Sequence, residues 1–169
     1  EFPRLLGYNL FVNDFFDRGK FDELRYDIII GNPPWESKLT EKAEKYILEN
    51  KLIIGDKQIA QAFSWKAGEV CKDTGTICLL MPSKGFLFNR SEKNLLYRKE
   101  FFDKYDISII INYSVFRKIL FEHASGPAAA VVYSIKSENN RDPIFYCTPK
   151  PTFTLEDHRR FMIEPSDIN

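Results

Sequence analysis

Apolar residues in this chain follow two rhythms. In one, short runs of aliphatic and β-branched residues stop abruptly; in the other, apolar positions recur every three or four residues among charges. The first rhythm predicts strands at YDIIIG (26–31), TICLLMP (76–82), ISIII (107–111) and AAAVVYSI (128–135), the first of them buried. The second predicts helices. Across 39–49, Leu39, Ala43, Tyr46 and Ile47 share one face and charges fill the other. Across 58–72, Ile59, Phe63 and Val70 align, and the turn KDTG ends the helix. Asn89 with Glu92 three residues on marks a third start, for a helix to about Lys104 that buries Leu95, Leu96 and Phe102. Strands alternating with helices across short connections predict an α/β sheet covered on both faces. SENNRDP reads as a turn, IFYC as a further edge strand and TPKPT as an exit linker. The expected organisation is one unit over 1–147, with 148–169 a linker and the start of a following domain.

Composition narrows the class. A chain of 169 residues with 44% hydrophobic content fits a globular domain, and no apolar run approaches the roughly 18 residues of a membrane helix. The start, EFPRLLGYNL, lacks the basic and apolar regions of a signal peptide, so a cytoplasmic setting without membrane contact is expected. Its first residue is Glu, which suggests a piece of a longer chain. The 24 basic and 24 acidic residues cancel, so net charge neither supports nor excludes a nucleic-acid partner. Cys71, Cys78 and Cys147 are odd in number and contain no CxxC, which argues against a disulfide framework. His123 and His158 are too few and too far apart for a zinc cluster, and no metal is expected.

The chemistry concentrates after the first strand, in GNPPWESK. In an open parallel sheet, ligands sit at the carboxyl ends of the strands, where this segment leaves. Each proline fixes its own φ and pushes the residue before it out of the helical region, so the loop is stiff. It offers the Asn32 amide oxygen and a nearby backbone carbonyl as fixed acceptors beside the flat face of Trp35. Two acceptors and a stacking plane suit an exocyclic amino group on a planar ring. Such a nitrogen is a poor nucleophile because its lone pair is delocalised. Accepting hydrogen bonds from both its protons draws it toward tetrahedral geometry and stabilises the charge that grows as it attacks. The bland alternative is a rigid loop that caps a strand.

YDIIIGNPPW resembles the catalytic motif (N/D)PP(Y/F/W) of the S-adenosylmethionine-dependent adenine-N6 DNA methyltransferases. The order of elements resembles the class with cofactor motifs first and target recognition last. The resemblance implies a partial Rossmann-like methyltransferase fold: a mostly parallel sheet with helices on both faces and a reversed strand at the end. It implies that Asn32 and the Pro33 carbonyl hold the amine and that Trp35 stacks on the base. VNDFFD resembles the family's cofactor-adenine segment, with Asp14 accepting from the adenine amino group, Phe15 packing on the ring and Pro34 bordering the cofactor. VFRKILFEHASGPAAAVVY resembles the segment that carries a second clamping aromatic, Phe121 or alternatively Phe116. Such a clamp offsets part of the cost of extruding a base from the duplex. The implied cofactor is S-adenosyl-L-methionine. The implied partner is DNA in a restriction-modification system, with a specificity or nuclease component fused or separate. The family's Gly-rich cofactor loop would lie upstream of Glu1, so this stretch alone is expected to bind cofactor poorly.

Three alternatives stay open at this point. Methyltransferases of RNA or of protein glutamine use similar loops. A non-catalytic nucleic-acid-binding module could keep the fold. A nuclease is suggested by Glu36-Ser37-Lys38 with Asp27 upstream, although two prolines interrupt the strand its carboxylates would need. Arg117, Lys118, Arg159 and Arg160 could touch phosphates, with solvated faces the simpler account.

Overall fold

The computed structural model describes residues 10–19, 21–117, 120–121, 126–137, 142–151 and 161–162. Strand β1 (Tyr26–Gly31) lies parallel to β2 (Cys71–Pro82), with Ile29 opposite Ile77. Strand β4 (Ala128–Ile135) runs antiparallel to β2 on one side and to β3 (Tyr105–Asn112) on the other. Strand β5 (Phe145–Cys147) pairs parallel with β3 at the far edge, giving the order β1-β2-β4-β3-β5. The sheet is therefore mixed but mostly parallel, and its reversed strand, β4, sits inside it. IFYC does form the edge strand expected of it. A separate short ladder pairs β6 (Lys150–Pro151) with β7 (Phe161–Met162), so part of the expected exit linker is a strand.

Among the described residues, three α-helices lie between the strands: α1 (Glu41–Glu49), α2 (Ile59–Val70) and α3 (Glu92–Lys104). Thr40 caps α1 by accepting the Ala43 amide at 3.2 Å, and Leu39, Ala43, Tyr46 and Ile47 pack together with Phe16 and Phe63 as their spacing predicts. The turn expected at KDTG is absorbed into β2, which begins at Cys71 rather than Thr76. No helix among the described residues is long and apolar enough to cross a membrane.

Two expectations are corrected. Leu95 and Leu96 of α3 are exposed, and Asn94, Tyr97 and Phe101 face the core instead. A buried amide chain sets that rotation: the Gln61 amide nitrogen donates to Asn94 Oδ1 at 2.8 Å, and Asn94 Nδ2 donates to Asp56 at 2.8 Å. Asn89 does not cap α3; its side chain accepts the Ser91 amide just ahead of the helix, and Ser91 is the cap residue. The second correction concerns β1. Only Ile29 packs on the core, whereas Ile28 and Ile30 are 69% and 80% exposed on the opposite face. β1 is the edge strand, and α2 and α3 both cover the other side of the sheet.

That covered side is aromatic. Phe101 lies 5.4 Å from Trp65, 4.8 Å from Tyr105 and 5.0 Å from Tyr133, ring centroid to centroid, over Ile77, Leu79, Met81 and Val131. Ser64 Oγ donates to the Gln61 carbonyl, so the Tyr97 hydroxyl is the donor in its 2.8 Å bond to Ser64 Oγ. Tyr133 donates to the Ser64 carbonyl at 2.9 Å. Burial pushes the phenols of Tyr97, Tyr105 and Tyr133 above their ordinary range.

Candidate active site

β2 continues past the end of β1, so the chain leaving Gly31 runs alongside residues 80–82. Gly31 permits a close approach there, since a Cβ would stand 3.0 Å from Leu79 Cδ2. Asn32 is exposed, and its side chain makes no hydrogen bond with the described residues. Pro33 is buried and Pro34 exposed, which anchors the corner by one ring and leaves the other at the surface. Trp35 is half-buried. Its Nε1 donates to the Leu80 carbonyl at 3.2 Å, which fixes the indole plane against β2.

The Phe121 ring meets that indole edge-on, at 5.3 Å and 88°. Gly126 lies against the other part of the indole, where a Cβ would be 3.6 Å from Cε3. The two residues matched to the clamp are thus neighbours, although 86 positions separate Trp35 and Phe121 in the sequence. Phe116 is 3% exposed and buried, so its ring is not at the surface with them.

A polar frame behind this corner went unnoticed in the sequence. Asn112, at the end of β3, accepts from both the Ser114 amide (3.1 Å) and the Ser114 hydroxyl (2.6 Å). Its own amide nitrogen donates to the Tyr146 hydroxyl at 2.6 Å. Ser114 has spent its proton on Asn112, so Ser83 donates in the 2.9 Å Ser83–Ser114 bond. The Ser83 amide donates to the Pro127 carbonyl at 2.9 Å. Together these bonds tie the residue after β2 to the turn after β3 and to the residue before β4. The available signal was a polar residue directly after each apolar run, Ser83 after Pro82 and Asn112 after Ile111.

Asp14 and Phe15 stand on a second element, the segment before β1. One Asp14 carboxylate oxygen accepts the Phe16 amide at 2.9 Å, and the other takes no donor among the described residues. Phe15 is half-buried and lies parallel to Phe63 at 5.0 Å and to Phe21 at 6.2 Å. Asp17 pairs with Lys42 at 2.5 Å, and this hydrogen bond raises the exposed lysine above its ordinary value. The residues present fit an adenosyl group in one respect: Asp14 keeps one carboxylate oxygen without a donor among the described residues, and the half-buried aromatic Phe15 follows it in the chain.

The nuclease alternative loses its geometry. Asp27 sits at the start of β1 and pairs with Lys72 at 2.8 Å, whereas Glu36 lies beyond the other end of that strand. No group of metal-binding side chains occurs among the described residues. Lys118, His123, His158, Arg159 and Arg160 lie outside the described residues, and Arg117 is exposed.

Comparisons with known proteins now bear on this site. No curated protein matches the chain. Among solved structures, the methyltransferase subunit of a type I restriction-modification system from Streptococcus thermophilus is 18% identical, with a TM-score of 0.59 over 73% of this chain and 26% of that one. The type IIG restriction endonuclease BpuSI is 19% identical, with a TM-score of 0.60 over 80% of this chain and 16% of that one. A class I S-adenosylmethionine-dependent methyltransferase, so described with reserve, from Listeria monocytogenes is 14% identical, with a TM-score of 0.55 over 74% of this chain and 37% of that one. These likenesses are of fold, and the chain spans only a quarter or so of the type I subunit's length. The family model described as Eco57I restriction-modification methylase matches residues 7–118 of the 169, and the chain belongs to that family.

Proposed function

We propose that this chain is the catalytic part of an S-adenosylmethionine-dependent methyltransferase that modifies the N6 amino group of adenine in DNA, within a restriction-modification system. The observation that carries the reading is the exposed Asn32 amide, without a hydrogen-bond partner among the described residues, on a proline-stiffened corner beside a pinned indole. An asparagine there for packing alone would bond to its own scaffold. Family membership supports the reaction class.

In this mechanism Asn32 Oδ1 and the Pro33 carbonyl accept the two N–H groups of the amine, and no donor among the described residues occupies either oxygen. Trp35 supports the extruded base from one side and Phe121 closes over it, turning from its edge-on position. Asp14 offers its remaining oxygen to the adenine of the cofactor, with Phe15 and Pro34 beside it. S-adenosylmethionine, when bound, supplies the activated methyl group; the chain's task is to hold the nitrogen in line and stabilise its growing charge.

Residues 1–147 form the catalytic unit in this reading, with target recognition carried by further sequence. DNA is the partner, with a specificity or nuclease component fused or separate, as BpuSI's description as a restriction endonuclease suggests. A cytoplasmic setting suits Cys71, Cys78 and Cys147, which form no disulfide with one another. The test is Asn32→Ala in the full-length protein, assayed for methyl transfer to DNA, with RNA and glutamine peptides as parallel substrates. Loss of transfer with an unchanged melting transition is expected. Near-normal turnover on DNA would refute the assigned role, and transfer to RNA or peptide alone would replace the substrate.

A further inference from the structure

Lys66 lies in the middle of α2 and is a side chain the mechanism above does not use. Its side chain is 3% exposed, which is unusual for a lysine. The Nζ sits 2.6 Å from Asp22 Oδ1, 3.2 Å from Glu69 Oε1 and 5.4 Å from the centre of the Tyr46 ring. Glu69 is half exposed and can be served by water. Asp22 Oδ1 is buried and has no partner other than this lysine among the described residues. The second Asp22 oxygen accepts the Gly19 amide at 3.0 Å, so the aspartate also shapes its own turn.

A buried ammonium left without a counter-charge is strongly disfavoured, as is the buried carboxylate facing it. Glu69, on the same helix, stays beside the ammonium in either case, but the buried Asp22 oxygen is matched only while the segment before β1 is docked on α2. That docking has a second seat one turn earlier on the same helix. Phe63 carries Phe15 in parallel at 5.0 Å and Phe16 edge-on at 5.0 Å. Phe21, next to Asp22, lies parallel to Phe15 on the same stack. An apolar residue at 66 could fill the space, but only a charge selects Asp22 and thereby the register of the segment.

We propose that Lys66 is a positioning residue: through Asp22 it fixes residues 14–19, 21 and 22 on α2 and so sets the affinity of the Asp14–Phe15 site for the adenosyl end of the methyl donor. The proposal rests on the methyltransferase reading and extends it to a residue that touches neither cofactor nor base.

The experiment compares Lys66→Met, Lys66→Arg and Asp22→Asn with the wild type in the full-length protein. Cofactor affinity is read by titration with S-adenosylmethionine, steady-state constants by methyl transfer, and the segment itself by hydrogen exchange of amides 14–22. Lys66→Met and Asp22→Asn are each expected to weaken cofactor binding and raise its KM by about tenfold or more, with kcat at saturating cofactor nearly unchanged. Lys66→Arg is expected to recover most of the affinity. Exchange should accelerate in 14–22 and not in the strands. Unchanged cofactor KM in folded variants overturns the proposal, as does a fall in kcat alone. A wild type that never uses S-adenosylmethionine overturns the functional reading, and the exchange contrast then decides separately whether Lys66 pins the segment.

Discussion

Trp35 has one observed contact and one proposed role, which substitution can separate. Its indole nitrogen donates to the Leu80 carbonyl, and in the proposed mechanism its face supports the extruded base. Trp35→Phe keeps an aromatic face and removes the bond to the Leu80 carbonyl. At 3.2 Å that bond is at the long end of the normal range, so its loss is expected to cost about 0.5 kcal/mol, roughly a factor of two. Trp35→Leu removes the stacking face as well. Base–aromatic stacking contributes about 1–3 kcal/mol, which corresponds to about 5–150-fold in the population of extruded, reactive base. Single-turnover methyl transfer on a duplex target reads that population. A mismatch opposite the target adenine lowers the cost of extrusion, so the leucine variant's deficit should shrink on that substrate. The ordering expected on the duplex is wild type, then Phe, then Leu well below. A leucine variant within about twofold of wild type on the duplex, with its thermal transition unchanged, would show that no base stacks on Trp35.

Other expectations concern the scaffold. Phe101 is fully buried at the junction of α2, α3 and the sheet, so Phe101→Ala should cost about 3–5 kcal/mol in urea unfolding; a loss under about 1 kcal/mol would contradict the packing described. Alkaline pH should destabilise the fold. The Tyr97 and Tyr133 phenols are raised in the folded chain, so their contribution is complete below pH about 10 and is lost as pH rises above it. Urea midpoints that stay level from pH 8 to about 11.5 would count against it.

Much of the candidate site's local geometry was legible because its constraints are local. Two successive prolines stiffen a corner wherever the chain folds, and an abrupt end to DIII announces a strand terminus. Leu39, Ala43, Tyr46 and Ile47 declare a helix face through their spacing alone. Leu95 and Leu96 misled for an equally physical reason. Periodicity assumes that the apolar side turns inward, but the hydrogen bonds of Asn94 to Gln61 and Asp56 outweigh it and rotate α3 toward Tyr97 and Phe101. Ile28 and Ile30 read as core because a run of isoleucines does not reveal which sheet face the helices cover.

The sequence by itself determined the stiff Asn-Pro-Pro-Trp corner, the strand it terminates and the amphipathic helices, since each is fixed by dihedral limits and side-chain period within a few residues. Only the tertiary structure decided which aromatic meets Trp35, Phe121 and not Phe116, and that Lys66 goes inward to Asp22. Those contacts join residues far apart in the chain. Their partners are chosen by sheet order and by the cost of leaving a buried charge or ring unmatched, which no local window of sequence contains.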